Sequence, residues 1–259
     1  MIYAGIDAGS RILKILLLDE TAAVLQTGHM DQGIDQVSLA KALLEKLLEE
    51  SGNPKVGGIV ATGYGRDRLD FADTKVTEIT CHARGVYHLH PGARTVIEIG
   101  GQDSKVICLD ESGKIRDFVM NDRCAAGTGR FLEVVAERLE MDIGELGLYA
   151  EKADKPSAIS STCVVFAETE ILGLLASGEK RENIVSGVQI AIASKIASMA
   201  GRLITPHVFF TGGVALIPGM DKVIRNSIGC PVSIARSPLF TGALGAALIA
   251  VERGMNVRH

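Results

Sequence analysis

The chain has 259 residues, 47% of them hydrophobic and 22% charged, with a formal net charge of −4 at pH 7. That is enough apolar chain for one large domain or two packed halves. The mild acidity, the scattered Lys and Arg and an aromatic complement of seven Phe, four Tyr and no Trp argue against a nucleic-acid face. The amino terminus lacks a basic segment followed by a long apolar one, and no apolar run reaches the ~20 residues of a membrane helix, so a soluble cytoplasmic protein without a membrane partner is expected.

In chain order, Ile6-Asp7-Ala8-Gly9-Ser10 closes a first strand and leads into a second, Lys14 to Glu20, and a third, Val24 to Thr27. Ala40, Leu43, Leu44, Leu47 and Leu48 have helical spacing, with Asp35 as cap and Gly52 and Pro54 as stop. Val56 to Ala61 is a strand entering Thr62-Gly63-Tyr64-Gly65-Arg66. The opening pattern then recurs: Ile97-Glu98-Ile99-Gly100-Gly101 leads into Lys105 to Glu111 and Ile115 to Met120. In each copy an acidic residue stands two positions before a glycine, so two copies facing one another would set two carboxylates and two glycine turns around one cleft. Helices follow at Phe131 to Leu139, Phe166 to Ala176 and Ile184 to Leu203, then a strand Val208 to Phe210 entering Thr211-Gly212-Gly213, and an Ala/Gly-rich helix Leu239 to Val251. Alternating strands and helices predict an α/β architecture with two related halves. Lobe I is placed at 1–92 with a last helix, about 240–259, packed back on it. Lobe II is placed at 93–239, the boundary following Pro91-Gly92.

Asp7, Gly9, Ser10 and Lys14 have the parts of a phosphate site: glycine admits the ligand to the backbone, Ser10 and turn N–H groups donate, and Lys14 adds charge. Asp7 can hold Mg²⁺ through water. Alone, Asp-x-Gly-Ser is an ordinary hairpin turn. Joined with Glu98-Ile99-Gly100-Gly101-Gln102-Asp103 and Thr211-Gly212-Gly213, it matches a nucleotide clamped between lobes, while the Walker and dinucleotide glycine motifs are missing. Cys124 precedes Ala-Ala-Gly-Thr-Gly-Arg at an expected helix start, beside free N–H groups, and Cys163 follows Ser160-Ser161-Thr162 before another helix. Two thiols are half of an iron-sulfur ligand set, which points to a cluster shared by two chains; the alternative is a pair of buried core cysteines. Cys81-His82 is read as a strand pair whose side chains diverge, structural rather than metal-binding, and Cys108 and Cys230 as buried thiols. His88 and His90, near Pro91, are read as surface or loop residues. Asp103 and Lys105 either polarise nucleotide or form a hairpin salt bridge; Glu168 and Glu170 either face a partner or are solvated.

The chain resembles the ATP-dependent activators of 2-hydroxyacyl-CoA dehydratases and the related ATPase components of benzoyl-CoA reductases. The resemblance runs along nearly the whole sequence. It is carried by Gly5-Ile6-Asp7-Ala8-Gly9-Ser10, Ala61 to Arg66, Glu78 to Ala83, Ile99 to Lys105, Met120 to Glu133 around Cys124, Ser160 to Cys163, Phe166-Ala167-Glu168 and Thr211 to Val214. It implies an actin, Hsp70 and sugar-kinase type fold, and a homodimer holding one 4Fe-4S cluster on Cys124 and Cys163 of each subunit. It further implies ATP-driven transfer of a low-potential electron, taken from ferredoxin or flavodoxin, to a partner iron-sulfur dehydratase or reductase. By the same resemblance Ser10, Arg11, Ile12, Leu13 and Lys14 contact ATP or ADP phosphates, Gly100 and Gly101 form the second phosphate turn and Gln102 lies at the γ-phosphate. Gly212 and Gly213 fall in the adenosine motif, and Asp7 and Glu98 serve Mg²⁺ and water. Two departures stand out. Glu98 replaces the family's usual Asp, and Arg11-Ile12-Leu13 replaces Thr-Ala-Ser, which removes two hydroxyls. The competing readings are a small-molecule kinase of the same fold and a nucleotide-dependent binding switch without redox chemistry.

Overall fold

The computed structural model describes residues 1–160 and 163–256; Ser161 and Thr162 of the Ser160 to Cys163 motif, and the last three residues of the expected final helix, lie outside the described residues. The elements in order are β1 Ile2–Ala8, β2 Ile12–Asp19, β3 Val24–Asp31, α1 Gln36–Glu50, β4 Val56–Thr62, β5 Thr74–Lys75, α2 Glu78–Leu89, β6 Thr95–Ile99, β7 Ser104–Leu109 and β8 Ile115–Asn121. There follow α3 Gly129–Leu139, α4 Leu146–Ala150, α5 Val164–Ala176, α6 Arg181–Ala200, β9 Val208–Thr211, α7 Met220–Ile228, β10 Val232–Ile234 and α8 Thr241–Asn256. They divide into two compact units. Unit 1 comprises Met1–Gly92, Glu111–Ile115 and the chain from Ala235 onward; unit 2 comprises Ala93–Asp110 and Arg116–Ile234.

Unit 1 is built on a sheet of order β3-β2-β1-β4-β5, in which β1 is antiparallel to β2 and parallel to β4. β1 is buried along its whole length, as a strand covered on both faces must be. The side chains alternate as a strand requires: Ile2, Ala4, Ile6, Ala8, Leu13, Ile15 and Leu17 join Ala40, Leu43, Leu44 and Leu47 of α1 in one cluster. Tyr3, Leu16, Leu18 and Val60 join Cys81 of α2 and the alanine-rich face of α8 in another. Asp35 caps α1 by accepting from the Ser38 N–H at 3.1 Å, as the sequence indicates. α2 and α8 pack with backbones touching: a Cβ on Gly85 would strike the Thr241 carbonyl, and one on Gly245 would lie 2.6 Å from the Cys81 carbonyl carbon.

Unit 2 repeats the plan. Its sheet runs β10-β9-β6-β7-β8, with β6 antiparallel to β7 and parallel to β9. The correspondence reaches single residues: Asp7 pairs with Lys14 on one side and Thr62 on the other, and Glu98 pairs with Lys105 and Thr211. The internal repeat therefore extends past the first three strands to Thr62-Gly63 and Thr211-Gly212. One core gathers Ile97, Ile99 and Val106 of this sheet with Phe131, Leu132 and Val135 of α3, Ile171 of α5 and Ile184, Val188, Ile192 and Ile196 of α6. The segment Arg181–Leu203 has the length and hydropathy to cross a membrane, and half of its most apolar window is buried inside the protein. Its apolarity serves the core of unit 2.

The glycines separate close contact from open surface. Gly245→Ala is expected to destabilise unit 1 by ~2 kcal/mol or more, because α8 must move off α2. Gly173→Ala, on α5 with nothing within 4 Å of an added Cβ, is expected to stabilise by up to ~1 kcal/mol. Urea unfolding followed by circular dichroism checks both signs.

Candidate nucleotide and cluster sites

In unit 1 the β1–β2 register sets Asp7 opposite Lys14, and Lys14 Nζ lies 3.1 Å from Asp7 Oδ2. Asp7 is 3% exposed, whereas the Lys14 side chain keeps 14% of its surface in solvent, so a partly open ammonium neutralises the buried carboxylate. Glycine surrounds this pair. A Cβ on Gly9 would lie 2.8 Å from Lys14 Nζ, and Gly63, at φ 87°, brings its backbone against Asp7 Oδ1 and the Ala8 carbonyl, an approach that an L side chain would block. Gln32, just past β3, braces the turn by donating to the Gly9 carbonyl at 2.9 Å while its own N–H donates to the Arg11 carbonyl at 2.8 Å. Arg11 is exposed and Ser10 partly so, both at the tip. Leu13 is fully buried in the sheet core, so only its backbone is available to a ligand.

Unit 2 offers the same construction with a different balance. Lys105 Nζ lies 2.8 Å from Glu98 Oε2 and 2.9 Å from Asp103 Oδ1, with 1% of the lysine side chain exposed. Of the two alternatives for Asp103 and Lys105, the structure shows the salt bridge, with Lys105 buried and Asp103 partly exposed. Gly212, at φ 90°, stands where a Cβ would lie 2.8 Å from Glu98 Oε1, and a Cβ on Gly100 would lie 3.1 Å from the same oxygen. The longer Glu98 side chain is accommodated by these glycines and held by Lys105. Gln102 is exposed at the tip of the turn, and Gly213 has open space around it.

Cys124 lies in the loop before α3, partly buried, with its carbonyl accepting from Asn121 Nδ2 at 2.8 Å; the same amide reaches the Ala126 carbonyl at 3.1 Å. The N–H groups expected to be free at the helix start are engaged: Gly129 N donates to the Gly100 carbonyl at 2.8 Å and Arg130 N to the Gly101 carbonyl at 2.7 Å. The start of α3 is thereby fastened to the glycine turn after β6. Cys163 is the N-cap residue of α5, partly buried, in extended conformation, with its carbonyl accepting from Ala167 N at 2.9 Å. α3 and α5 are tied by Arg138 Nε donating to Glu168 Oε1 at 2.6 Å. Glu170 accepts from both the N–H and the hydroxyl of Ser160, so both glutamates have structural partners. Among the described residues no group of three or more His, Cys, Asp or Glu side chains is disposed to hold a metal. Two part-exposed thiols in one chain fit half of a tetrathiolate set.

Cys81 and His82 lie on the first turns of α2, not on a strand; the helical period is hidden there by the β-rich Val76 to Thr80 run that precedes them. Burial pushes the Cys81 thiol up to about 12, with the Asp7 charge adding to the effect, so it stays neutral and inert. His88 is a surface residue as expected, on α2, and His90 ends that helix, accepting from Arg236 N at 3.1 Å. Cys108 is buried as expected, while Cys230 is only partly covered. The sequence reading passed over Gln32 and Gly242, and it gave Thr62, Gly63 and His82 no part in the site; the register of β4 against β1, repeated by β9 against β6, is the signal that would have found Thr62 and Gly63.

The profile of the BadF/BadG/BcrA/BcrD ATPase family matches residues 4–250. The activator of lactoyl-CoA dehydratase from Anaerotignum propionicum is 44% identical over 260 aligned residues, covering 97% of this chain and 98% of that protein. The solved structure of the activator of 2-hydroxyisocaproyl-CoA dehydratase from Clostridium difficile, with bound ADPNP, superposes with a TM-score of 0.94 at 38% identity, covering 100% of this chain and 97% of that one. A glucokinase of the ROK family from Streptomyces griseus, at 16% identity and a TM-score of 0.61 over 97% of this chain and 100% of its own, shares the fold. Two units of repeated topology with paired carboxylate and glycine turns, and agreement along the full length, establish an actin, Hsp70 and sugar-kinase type fold and place this chain in the BadF/BadG/BcrA/BcrD ATPase family.

Proposed function

We propose that this protein is an ATP-hydrolysing activator that delivers a low-potential electron to a partner iron-sulfur enzyme of the 2-hydroxyacyl-CoA dehydratase or related reductase type. The observation that carries the reading is the pair of hydrogen bonds from Gly129 N and Arg130 N to the carbonyls of Gly100 and Gly101. They make the proposed second phosphate turn and the loop bearing Cys124 one mechanical piece. The full-length likeness to the lactoyl-CoA dehydratase activator supplies the partner class.

In this reading Lys14, Ser10 and the N–H groups of the Gly9 to Leu13 turn bind the phosphates of ATP and ADP, the partly open ammonium meeting phosphate oxygens. Gly100, Gly101 and Gln102 serve the γ-phosphate end, and Gly212 and Gly213 leave room for adenosine. Asp7 and Glu98 accept from water bound to Mg²⁺; each is a buried carboxylate already held by a lysine, so its oxygens are oriented before the ion arrives. Cys124 and Cys163 of two copies together supply four thiolates for one 4Fe-4S cluster, whose chemistry when bound is storage and release of a single electron taken from ferredoxin or flavodoxin. Asn121 and the α3 bonds fix the Cys124 loop to the turn, so nucleotide states that place the Gly100 to Gln102 turn differently also place that thiol differently. The homodimer and a soluble cytoplasmic location belong to the same proposal.

The two lysines are expected to separate by burial. Lys14→Ala is expected to weaken ATP binding about tenfold or more and, because it leaves the buried Asp7 without its cation, also to destabilise unit 1, by less than the Lys105 change since Lys14 is partly open to solvent. Lys105→Ala strands Glu98 and costs ~3 kcal/mol or more of unit 2 stability. Calorimetric titration with ATP and urea unfolding of both variants check this. For the thiols, iron and sulfide analysis after anaerobic reconstitution is expected to give four irons per dimer. Cys124→Ala and Cys163→Ala are each expected to lose them while still binding ATP; full iron content in both variants would refute the cluster assignment.

A further inference from the structure

The environment of Asp7 contains a group that neither the phosphate turns nor the cluster uses. His82 is 4% exposed, and its Nδ1 lies 2.9 Å from Oγ1 of Thr241, itself fully buried as the first residue of α8. The next residue, Gly242, leaves a gap bounded by two polar atoms: an added Cβ there would lie 3.0 Å from Asp7 Oδ2 and 3.2 Å from His82 Nε2. The imidazole edge and the carboxylate therefore face the same small space, which exists because α8 carries glycine at that position. Lys14 reaches the same oxygen of Asp7 at 3.1 Å, and Gly63 closes over the other.

The chemistry of the partners orders the protons. A Thr241 hydroxyl that donates to Nδ1 leaves the hydrogen on Nε2, the ring nitrogen at the gap that Asp7 also borders. That bond fixes both tautomer and ring angle, as a second hydrogen bond does for a metal-ligating histidine.

We infer that His82 is a positioning residue for Asp7, oriented by Thr241 and holding the carboxylate at the end of β1 in the geometry that nucleotide hydrolysis needs. The inference rests on the reading above that Asp7 serves the nucleotide reaction, and it adds to it a buried histidine and threonine from two helices.

The two ring positions can be tested separately, because Gln returns a nitrogen near the Nε2 position and Asn one near Nδ1. In steady-state ATP hydrolysis by the anaerobically purified full chain, His82→Asn is expected to lower kcat about tenfold, and His82→Gln to stay within about threefold of the parent. KM for ATP and the affinity for ADP measured without magnesium are expected to change by less than about twofold in both. Thr241→Val keeps the side-chain shape and removes the orienting hydroxyl; it is expected to lower kcat about threefold or more with the thermal midpoint held. Parental kcat in folded His82→Asn, or in Thr241→Val if the former does not fold, overturns the inference, as does recovery by Asn in place of Gln. Asp7→Asn is the control that separates the two levels: retained hydrolysis there refutes the underlying role of Asp7, whereas its loss beside unaffected His82 and Thr241 variants refutes the positioning role alone.

Discussion

A buried carboxylate at the end of a central strand, neutralised by a lysine one ladder step away, is the constraint around which each unit is arranged. An ionised carboxylate costs several kcal/mol to bury and is tolerated only with a cation at contact distance. The β1–β2 and β6–β7 registers supply that cation at Lys14 and Lys105. A register slip by one residue would turn the lysine to the other face and leave Asp7 or Glu98 alone in the core. The glycines at 9, 63, 100 and 212 follow from the same requirement, since a ligand can approach these carboxylates only where the surrounding backbone carries no Cβ.

Repetition of the motif makes the difference between its copies informative. Lys14 keeps one side toward solvent, while Lys105 is closed off between Glu98 and Asp103. A lysine held by two carboxylates has little charge left to offer a phosphate, so in the proposed function the cationic contact would come from Lys14, and the second turn would contribute backbone and Gln102 from a rigid base. That rigidity has a use. The turn built on Glu98 is the one to which α3 is fastened, and a stiff turn transmits displacement to the Cys124 loop where a loose one would absorb it.

Most of this architecture is legible in the chain. Strand-ending glycines two positions after an acid mark both turns, and the Leu and Ala spacing of α1 and the cap at Asp35 mark the helix that covers the first sheet. The repeat was seen through three strands and missed in the fourth, because Thr62-Gly63 and Thr211-Gly212 share only a dipeptide, and their equivalence lies in a register that is a property of the paired sheet. α2 was misread for a related reason: Val76, Thr77, Ile79 and Thr80 favour strand locally, and packing of Gly85 against Gly245 on α8 decides for helix. His82 could not be connected to Asp7 from sequence at all, since α8 joins them from the other end of the chain.

The cysteines show how the same helix terminus can serve a different purpose from the one its sequence suggests. A thiol before Gly-Thr-Gly-Arg invites the view that helix N–H groups stabilise sulfur charge, yet the first N–H groups of α3 are spent on the carbonyls of Gly100 and Gly101. At Cys163 the geometry differs: that residue is itself the N-cap of α5, so the positive end of the helix dipole lies beside its sulfur. The two thiols of one chain thus have unequal electrostatic settings, one tied mechanically to the phosphate turn and the other held at a helix end. In the cluster proposed above, Cys124 would carry the nucleotide's influence and Cys163 would favour the added negative charge of the reduced state.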